Sequence, residues 1–402
     1  MKINRQLFWI IILALILRLL FLVFYVDLEN VNRWEYGEVA KNIINGNGYS
    51  LFYIDGNKLE YLYSESVKPY PSAYMPPGYV YTILPFFLIE NEIITNIAII
   101  LFQIFLSLMI VVFLYKLVLE IFDNRTALIA VLIYAILPEF IFSVSSITPT
   151  IIFHLLITII LLRLYIQEKS KNTGYFIPIL IALLIYFRVE FFVYLFILMF
   201  YFLIKKKFKI IFIYSTIIFI LVLPWVIRNF IIFDNLIPLT TSSGLNLYRG
   251  NNSIMIGSWG DENIHAEILS LPRNDKFEVY FNKLYSDKAI SYIKSNPIEF
   301  AKNIFIKNFE LWIFNQKDSR ATNILYIVPW LIILLFSIIG FTKKNSSQKL
   351  KYIIFVFVYF AVVSSIFFAL PRYQTMMKIV MVPIAATGLL LSYEKIKIKF
   401  YK

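Results

Sequence analysis

Leu7-Phe-Trp-Ile-Ile-Ile-Leu-Ala-Leu-Ile-Leu-Arg-Leu-Leu-Phe-Leu-Val-Phe-Tyr-Val26 is an apolar run interrupted only by Arg18. About twenty such residues are what an α-helix needs to cross the hydrocarbon core of a bilayer. Lys2 and Arg5 precede the run, and Val23-Phe-Tyr-Val26 offers no small-residue cleavage site, so it reads as an uncleaved first span. Similar runs recur along the 402 residues, which are 60% hydrophobic with a mean hydropathy of +0.74. Soluble domains average roughly 45–50% apolar residues. The fold class is therefore an all-α, polytopic membrane protein.

Further spans are expected at 94–115, 126–143, 148–167, 174–187, 189–204, 209–227, 324–341, 352–370 and 375–392. Tyr79 to Ile89 is apolar but short for a crossing, so it reads as a re-entrant or surface-lying segment. The net charge of +13 would suggest nucleic acid in a soluble protein, but here its distribution argues otherwise. Lysines crowd into short connections: Lys116, then Lys169 and Lys171, Lys205 to Lys207 with Lys209, Lys343 and Lys344 with Lys349 and Lys351, and the tail ending at Lys402. The positive-inside rule places these in the cytoplasm. Ten spans with both termini cytoplasmic then satisfy every loop. One transmembrane domain over 1–402 carries two large extracytoplasmic loops, 27–93 and 228–323. No separate soluble domain is expected.

The first loop holds nine acids against four Lys or Arg between Asp27 and Glu92. Within it, Glu38-Val-Ala-Lys-Asn-Ile-Ile-Asn45 suggests a short amphipathic helix stopped by Gly46 and Gly48. Pro69, Pro71, Pro76 and Pro77 enforce an extended run after it. In the second loop, Lys283 to Glu310 has the pattern of an interfacial helix. There is no cysteine, and only His154 and His265 offer imidazole, so thiolate or histidine-rich metal sites are excluded. A divalent cation held by carboxylates stays open.

Arg188, Arg228 and Arg372 stand at the outer ends of spans, with Arg249 in the loop beyond. Lone arginines at such places often only snorkel. Several on the side that the positive-inside rule disfavours point instead to an anion, and guanidinium groups bind phosphate bidentately. Glu35 and Glu38 share a face if their segment is helical, and either would serve as a general base. Arg18 inside a span must face protein rather than lipid. Arg188 and Glu190 are close enough in sequence to pair with each other. His154 reads as a hydrogen-bond donor within the bundle.

The residues also carry a resemblance. Pro224-Trp-Val-Ile-Arg-Asn229, followed by Gly244-Leu-Asn-Leu-Tyr-Arg-Gly-Asn-Asn252, resembles the PW-x-x-RN and G-x-N-L-x-x-GNN words of bacterial glycosyltransferase family 39. That family, in the GT-C superfamily, is related to protein O-mannosyltransferases and the aminoarabinose transferase. Tyr36-Gly-Glu-Val-Ala-Lys-Asn-Ile-Ile-Asn-Gly-Asn-Gly-Tyr-Ser50, Met75-Pro-Pro-Gly-Tyr79 and Leu370-Pro-Arg-Tyr373 are similar to further family words. The resemblance implies a GT-C helical bundle and a polyprenyl-phosphate-linked sugar donor. It also implies an inverting transfer at the outer face of the cell membrane, assisted by an acid of the first loop. Asn32 fills the position where the family usually has Asp, so Glu35, then Glu38, is the expected catalytic acid, with Asp27 or loss of catalysis as alternatives. Arg228, Asn229, Arg188, Arg372, Arg249, Lys68 and Tyr79 are expected to bind substrate. The sugar, and whether the acceptor is a lipid, a glycan or a protein, stay open. A lipid-linked sugar flippase would need internal repeats and mid-membrane polar residues, of which Arg18 is the main one. A polysaccharide polymerase or ligase is the nearer alternative.

Overall fold

The structure, a computed structural model, describes residues 4–170, 174–253, 262–315, 321, 323–343 and 346–400. Lys2, before the first span, and Lys171, Lys344 and Lys402, counted above among the inner lysines, lie outside the described residues. Among the described residues, six helices are long and apolar enough to cross a membrane: α1 (Arg5–Tyr25), α4 (Glu92–Ile121), α7 (Thr150–Lys169), α10 (Phe208–Phe233), α15 (Ile324–Phe341) and α18 (Pro371–Phe400). The other four expected spans are present as shorter apolar helices. They are α5 (Asn124–Ile136) with α6 (Pro138–Phe142), α8 (Phe176–Phe187), α9 (Phe192–Ile204) and α17 (Lys351–Ile366). Pro138 separates α5 from α6, and the short 3₁₀ turn Val189–Phe191 after Arg188 separates α8 from α9.

Burial divides the bundle. The apolar windows of α7 and α18 are 78% buried, against 22% for α1, α10 and α15, so the former make the centre and the latter a lipid-facing rim. Polar side chains stitch the centre together, because unsatisfied groups in hydrocarbon cost several kcal/mol each. Arg18 of α1 donates to the Ala14, Ala135 and Tyr134 carbonyls, tying α1 to α5. His154 of α7 meets the Thr375 carbonyl at 3.1 Å, as expected for a bundle hydrogen bond. Lys378 of α18 is fully buried against the carboxylate of Glu139 in α6, with the Tyr326 and Trp330 rings also beside its ammonium. The ends of α4, α7, α15 and α17 that carry inner-loop lysines come together. Lys169 bridges Glu120 at 2.6 Å, Lys351 bridges Glu168, and Lys343 lies over the Phe122 ring.

The two large loops fold onto each other at the other end. The first contains α2 (Trp34–Ile44), closed by Gly46 in the left-handed region, then a hairpin of β1 (Tyr53–Asp55) and β2 (Lys58–Glu60). Residues 49–52 and 70–72 then exchange backbone hydrogen bonds, the ordered form of the expected proline-rich run. Pro77 starts α3 (Pro77–Ile83), which continues as a 3₁₀ turn to Leu88, twelve residues in all and short for a crossing. The second loop holds α11 (Ser243–Gly250), α12 (Glu262–Leu269), α13 (Phe277–Ser295) and α14 (Pro297–Trp312), and α16 (Ser346–Lys349) lies later. The helical segment read at 283–310 is thus two helices divided at Asn296-Pro297, where proline cannot continue the hydrogen-bond ladder. Ile298, Phe305 and Phe309 of α14 are exposed along one face, as an interfacial helix requires.

The Lys378–Glu139 pair makes a stability prediction. Removing one partner leaves a buried charge, so Lys378→Met should cost about 3–5 kcal/mol. The double change Lys378→Met with Glu139→Leu should recover most of that, because two apolar groups leave nothing to desolvate. Thermal unfolding of the two variants in detergent checks this. Equal losses in both would show that the charges are not coupled.

Candidate functional site

The site is assembled from four segments far apart in the chain, and each arrives by a local device. Asn32 accepts a hydrogen bond from Trp34 N–H at 2.8 Å, and Trp34 is held at φ +51, a left-handed conformation rare for a bulky residue. Such strain persists only where surroundings enforce it. This tight turn starts α2 and sets the direction of Glu35 and Tyr36, both buried. Arg188 enters from the break between α8 and α9, where its Nη2 is 2.5 Å from Glu190 and its guanidinium lies over the Tyr373 ring. Arg249 is in the last turn of α11, over the Phe368 ring at 4.8 Å. Arg372 is in the first turn of α18, over the Tyr373 ring.

These groups act on one another electrically. Burial pushes the Glu35 carboxyl above the usual carboxylate range, and its own backbone N–H, Arg372 and Arg249 oppose that rise. Burial likewise pushes Tyr36 up to about 12, against Arg188 and Arg372. Burial lowers Arg249, whose surroundings include Arg372, Glu35 and Tyr74. Among the described residues, three guanidinium groups gather with two carboxylates, Glu35 and Glu190, an arrangement that favours a bound anion. No group of three or more His, Asp or Glu side chains suited to a metal is found among the described residues. Glu35 faces arginines, and a divalent cation fits that donor set poorly.

Two clasps hold the segments in register. A Cβ at Gly250 would lie 1.6 Å from the Phe367 carbonyl, so only glycine permits α11 to lie against the segment leading into α18. Asn251 donates to the Ile366 carbonyl, and buried Lys307 donates to Asn251 Oδ1 at 3.0 Å and to the Ser365 carbonyl. The GNN word therefore sets the spacing of Arg249 and Arg372. The second clasp joins the two outer loops. Glu278 of α13 is fully buried and accepts from Ala73 N–H at 2.9 Å and the Thr241 hydroxyl at 2.6 Å. Beside it, Arg228 donates to the Ser72 carbonyl at 2.6 Å, the Tyr49 carbonyl at 3.1 Å and Asn229 Oδ1 at 3.0 Å.

Of the residues singled out in the sequence, Glu35, Arg188, Arg249 and Arg372 thus come together. The others are placed differently. Arg228 and Asn229 organise backbone, the amide of Asn229 donating to the Ile237 and Leu239 carbonyls. Glu38 is buried and accepts from Tyr63 N–H at 2.6 Å. Tyr79 donates to Gln103 and packs edge-to-face on Tyr36, behind the site rather than in it. Lys68 is exposed on the loop surface. Glu278 and Lys307 were missed. The available signal for Glu278 was an acid on the same helical stripe as Phe281 and Tyr285.

A groove of about 560 Å³ adjoins the site, lined by Pro77, Gly78, Tyr81, Tyr186, Trp225 and Arg228 among others. The PPGY and PW-x-x-R words thus meet on one apolar surface. Phe187, which also lines it, immediately precedes Arg188.

Residues 74–227 match the family model described as dolichyl-phosphate-mannose-protein mannosyltransferase. The chain is similar in structure to the archaeal oligosaccharyltransferase AglB from Archaeoglobus fulgidus in complex with an inhibitory peptide and a dolichol-phosphate. The TM-score is 0.56 at 13% identity, covering 98% of this chain and 51% of that one. The apo form of the Archaeoglobus fulgidus enzyme matches with a TM-score of 0.56 at 12% identity, over 98% of this chain and 51% of that one. The same enzyme tethered to an acceptor peptide containing the NVT sequon matches with the same score and identity, over 98% and 50%. The chain spans about half the length of these structures. No curated protein matches it. The family model thus matches part of the chain whose motifs carried the resemblance, and the chain shares the fold of these membrane enzymes. The chain is an all-α, polytopic membrane protein.

The Glu278 clasp predicts a pH dependence. Burial raises this carboxyl to about 7, against the opposing hydroxyls of Ser72 and Thr241, the Ala73 N–H and Arg228. The folded state therefore holds the proton where the unfolded chain, near the ordinary glutamate value of 4.5, has lost it. The associated stability is complete below that lower value and is lost as pH rises through about 7. Thermal unfolding between pH 5 and 8 should show stability falling, by on the order of 3 kcal/mol for this group. Glu278→Gln should flatten the profile, and an unchanged slope would contradict the assignment.

Proposed function

We propose that this chain transfers a sugar from a polyprenyl-phosphate-linked donor to a hydroxyl of an acceptor, with inversion, on the extracytoplasmic face of the cell membrane. The observation that carries the reading is the convergence of Glu35 with Arg249, Arg372 and Arg188 from four distant segments. The groove beside α3, α8 and α10 takes the polyprenyl chain, apolar surface against apolar chain, and leads its phosphate towards Arg188. The arginines hold that phosphate.

In the reaction, Glu35 removes the proton of the acceptor hydroxyl. The oxygen forms a bond to the anomeric carbon from the face opposite the phosphate. The bond from that carbon to the phosphate oxygen breaks, and its electron pair leaves on the polyprenyl phosphate. Charge grows on the departing phosphate, and fixed guanidinium groups in a water-poor site stabilise it. A carboxylate raised by burial is a stronger base near neutral pH, while Arg372 and Arg249 keep part of it ionised. Asn32 cannot take a proton. It acts through the turn at Trp34 that aims Glu35.

The test is a transfer assay from a polyprenyl-phosphate sugar using wild type, Glu35→Gln, Arg249→Ala and Asn32→Asp. Glu35→Gln should lose roughly 100-fold or more in kcat and lose the acidic limb of the pH–rate profile. Activity should fall as pH drops, because the protonated carboxyl is no longer a base. Arg249→Ala should weaken donor binding, and Asn32→Asp should not be needed for activity. Full activity in Glu35→Gln would remove it as the base. The side of the membrane is checked separately with single cysteines, since the chain has no native thiol. Ser64→Cys should react with an impermeant reagent on intact cells and Lys206→Cys should not. The reverse pattern would overturn the extracytoplasmic site.

A further inference from the structure

A second cavity, of about 220 Å³, lies on another face of α2. Its lining includes Asn32, Trp34, Glu38, Lys41, Tyr61 and Glu92. Trp34, Glu38 and Lys41 are spaced i, i+4, i+7, which aligns them along one stripe of the helix, while Glu35 lies on the adjoining face. We propose that this cavity is the acceptor subsite and that it takes a neutral sugar ring of a glycan. The inference rests on the glycosyltransferase reading above and names the acceptor class for it.

Charge is the first argument. The arginines gather on the Glu35 side of α2, where the donor phosphate belongs. The cavity side is lined by Glu29, Glu38 and Glu92. Arg33 and Lys41 also line the cavity and both meet Glu92, at 3.4 Å and 2.8 Å, so the lining holds three carboxylates against two cations, a net negative charge that disfavours an anion. Carboxylates and amides in a partly enclosed space are well suited to accept hydrogen bonds from sugar hydroxyls. Glu38 is fixed for that by the Tyr63 N–H on Oε2.

Shape is the second argument. The Trp34 ring is 39% exposed although its backbone is held in a left-handed turn, so an apolar ring is presented to solvent at a local energetic cost. A flat aromatic face complements the C–H face of a pyranose, and Tyr61 supplies a second ring. The volume is below the roughly 300–1,000 Å³ of drug-sized sites, which suits one ring better than an extended peptide. Continuity is the third argument. Tyr61 and Glu38 line the cavity, and Glu35 is near enough for its charge to act on Tyr61, so the base lies close to the cavity.

The full chain in lipid nanodiscs is titrated with neutral methyl hexosides and, separately, with a threonine-containing heptapeptide, reading saturation-transfer NMR. Binding of polyprenyl phosphate is measured in parallel. Methyl hexosides should give saturation transfer in the wild type. At least fivefold weaker binding is expected in Trp34→Leu and in Glu38→Gln, with polyprenyl phosphate binding unchanged. Glu38→Gln retains an oxygen for the Tyr63 N–H, so it serves if Trp34→Leu does not fold. Peptide binding without hexoside binding, hexoside binding unaffected by Glu38→Gln, or no binding of either probe would each overturn the proposal. Hexoside binding in a wild type that ignores polyprenyl phosphate would leave the cavity a sugar site and tell against the donor reading instead.

Discussion

Everything around the candidate site depends on a buried carboxylate and a guanidinium satisfying the backbone of a loop that has little regular structure of its own. Residues 69–76 are rich in proline and lack the hydrogen bonds of helix or sheet over most of their length. Glu278 and Arg228, 50 residues apart in the chain, supply an acceptor for Ala73 N–H and donors for the Tyr49 and Ser72 carbonyls. Burying polar and charged groups is costly unless they are hydrogen-bonded, and here the loop's own backbone provides many of those bonds. The first outer loop is thereby fixed on the second. α2 and the Pro76-Pro77 turn then have defined positions above the bundle.

The arginines divide their work accordingly. Arg18 and Arg228 turn their donors on main-chain carbonyls and serve architecture. Arg188, Arg249 and Arg372 meet ring faces and a small number of carboxylates, and their charge is directed at the space around Glu35 and Tyr36. The like charges of Arg249 and Arg372 would repel if the segments were free to separate. The contact between Gly250 and Phe367, together with Lys307 on Asn251, prevents that separation. A motif recognised as a word in the sequence is, in three dimensions, a spacer between two cations.

The apolar groove is lined from α3, α8 and α10, the polar cavity from α2, the residues before it and the start of α4. One is bounded by aromatic rings and proline, the other by carboxylates and amides. Hydrophobic burial has no directional preference, whereas hydroxyl recognition needs placed acceptors, and the two linings differ in that respect.

By itself the sequence determined the membrane class, the positions of the spans, the grouping of acids and arginines in two loops, and the glycosyltransferase words. All of these follow from residue type, run length and spacing along the chain, which need no knowledge of partners. It also marked Glu35 and the arginines of the site, because charges next to apolar runs are conspicuous. Only the tertiary structure decided that Arg228 clasps a loop while Arg249 and Arg372 face Glu35, that Glu38 is held by Tyr63, and that Glu278 and Lys307 matter at all. The physical reason is that a charged side chain takes its role from the group it meets. Here those groups lie far away in the chain, Ala73 and Glu278 being 205 positions apart, and are brought together only by packing.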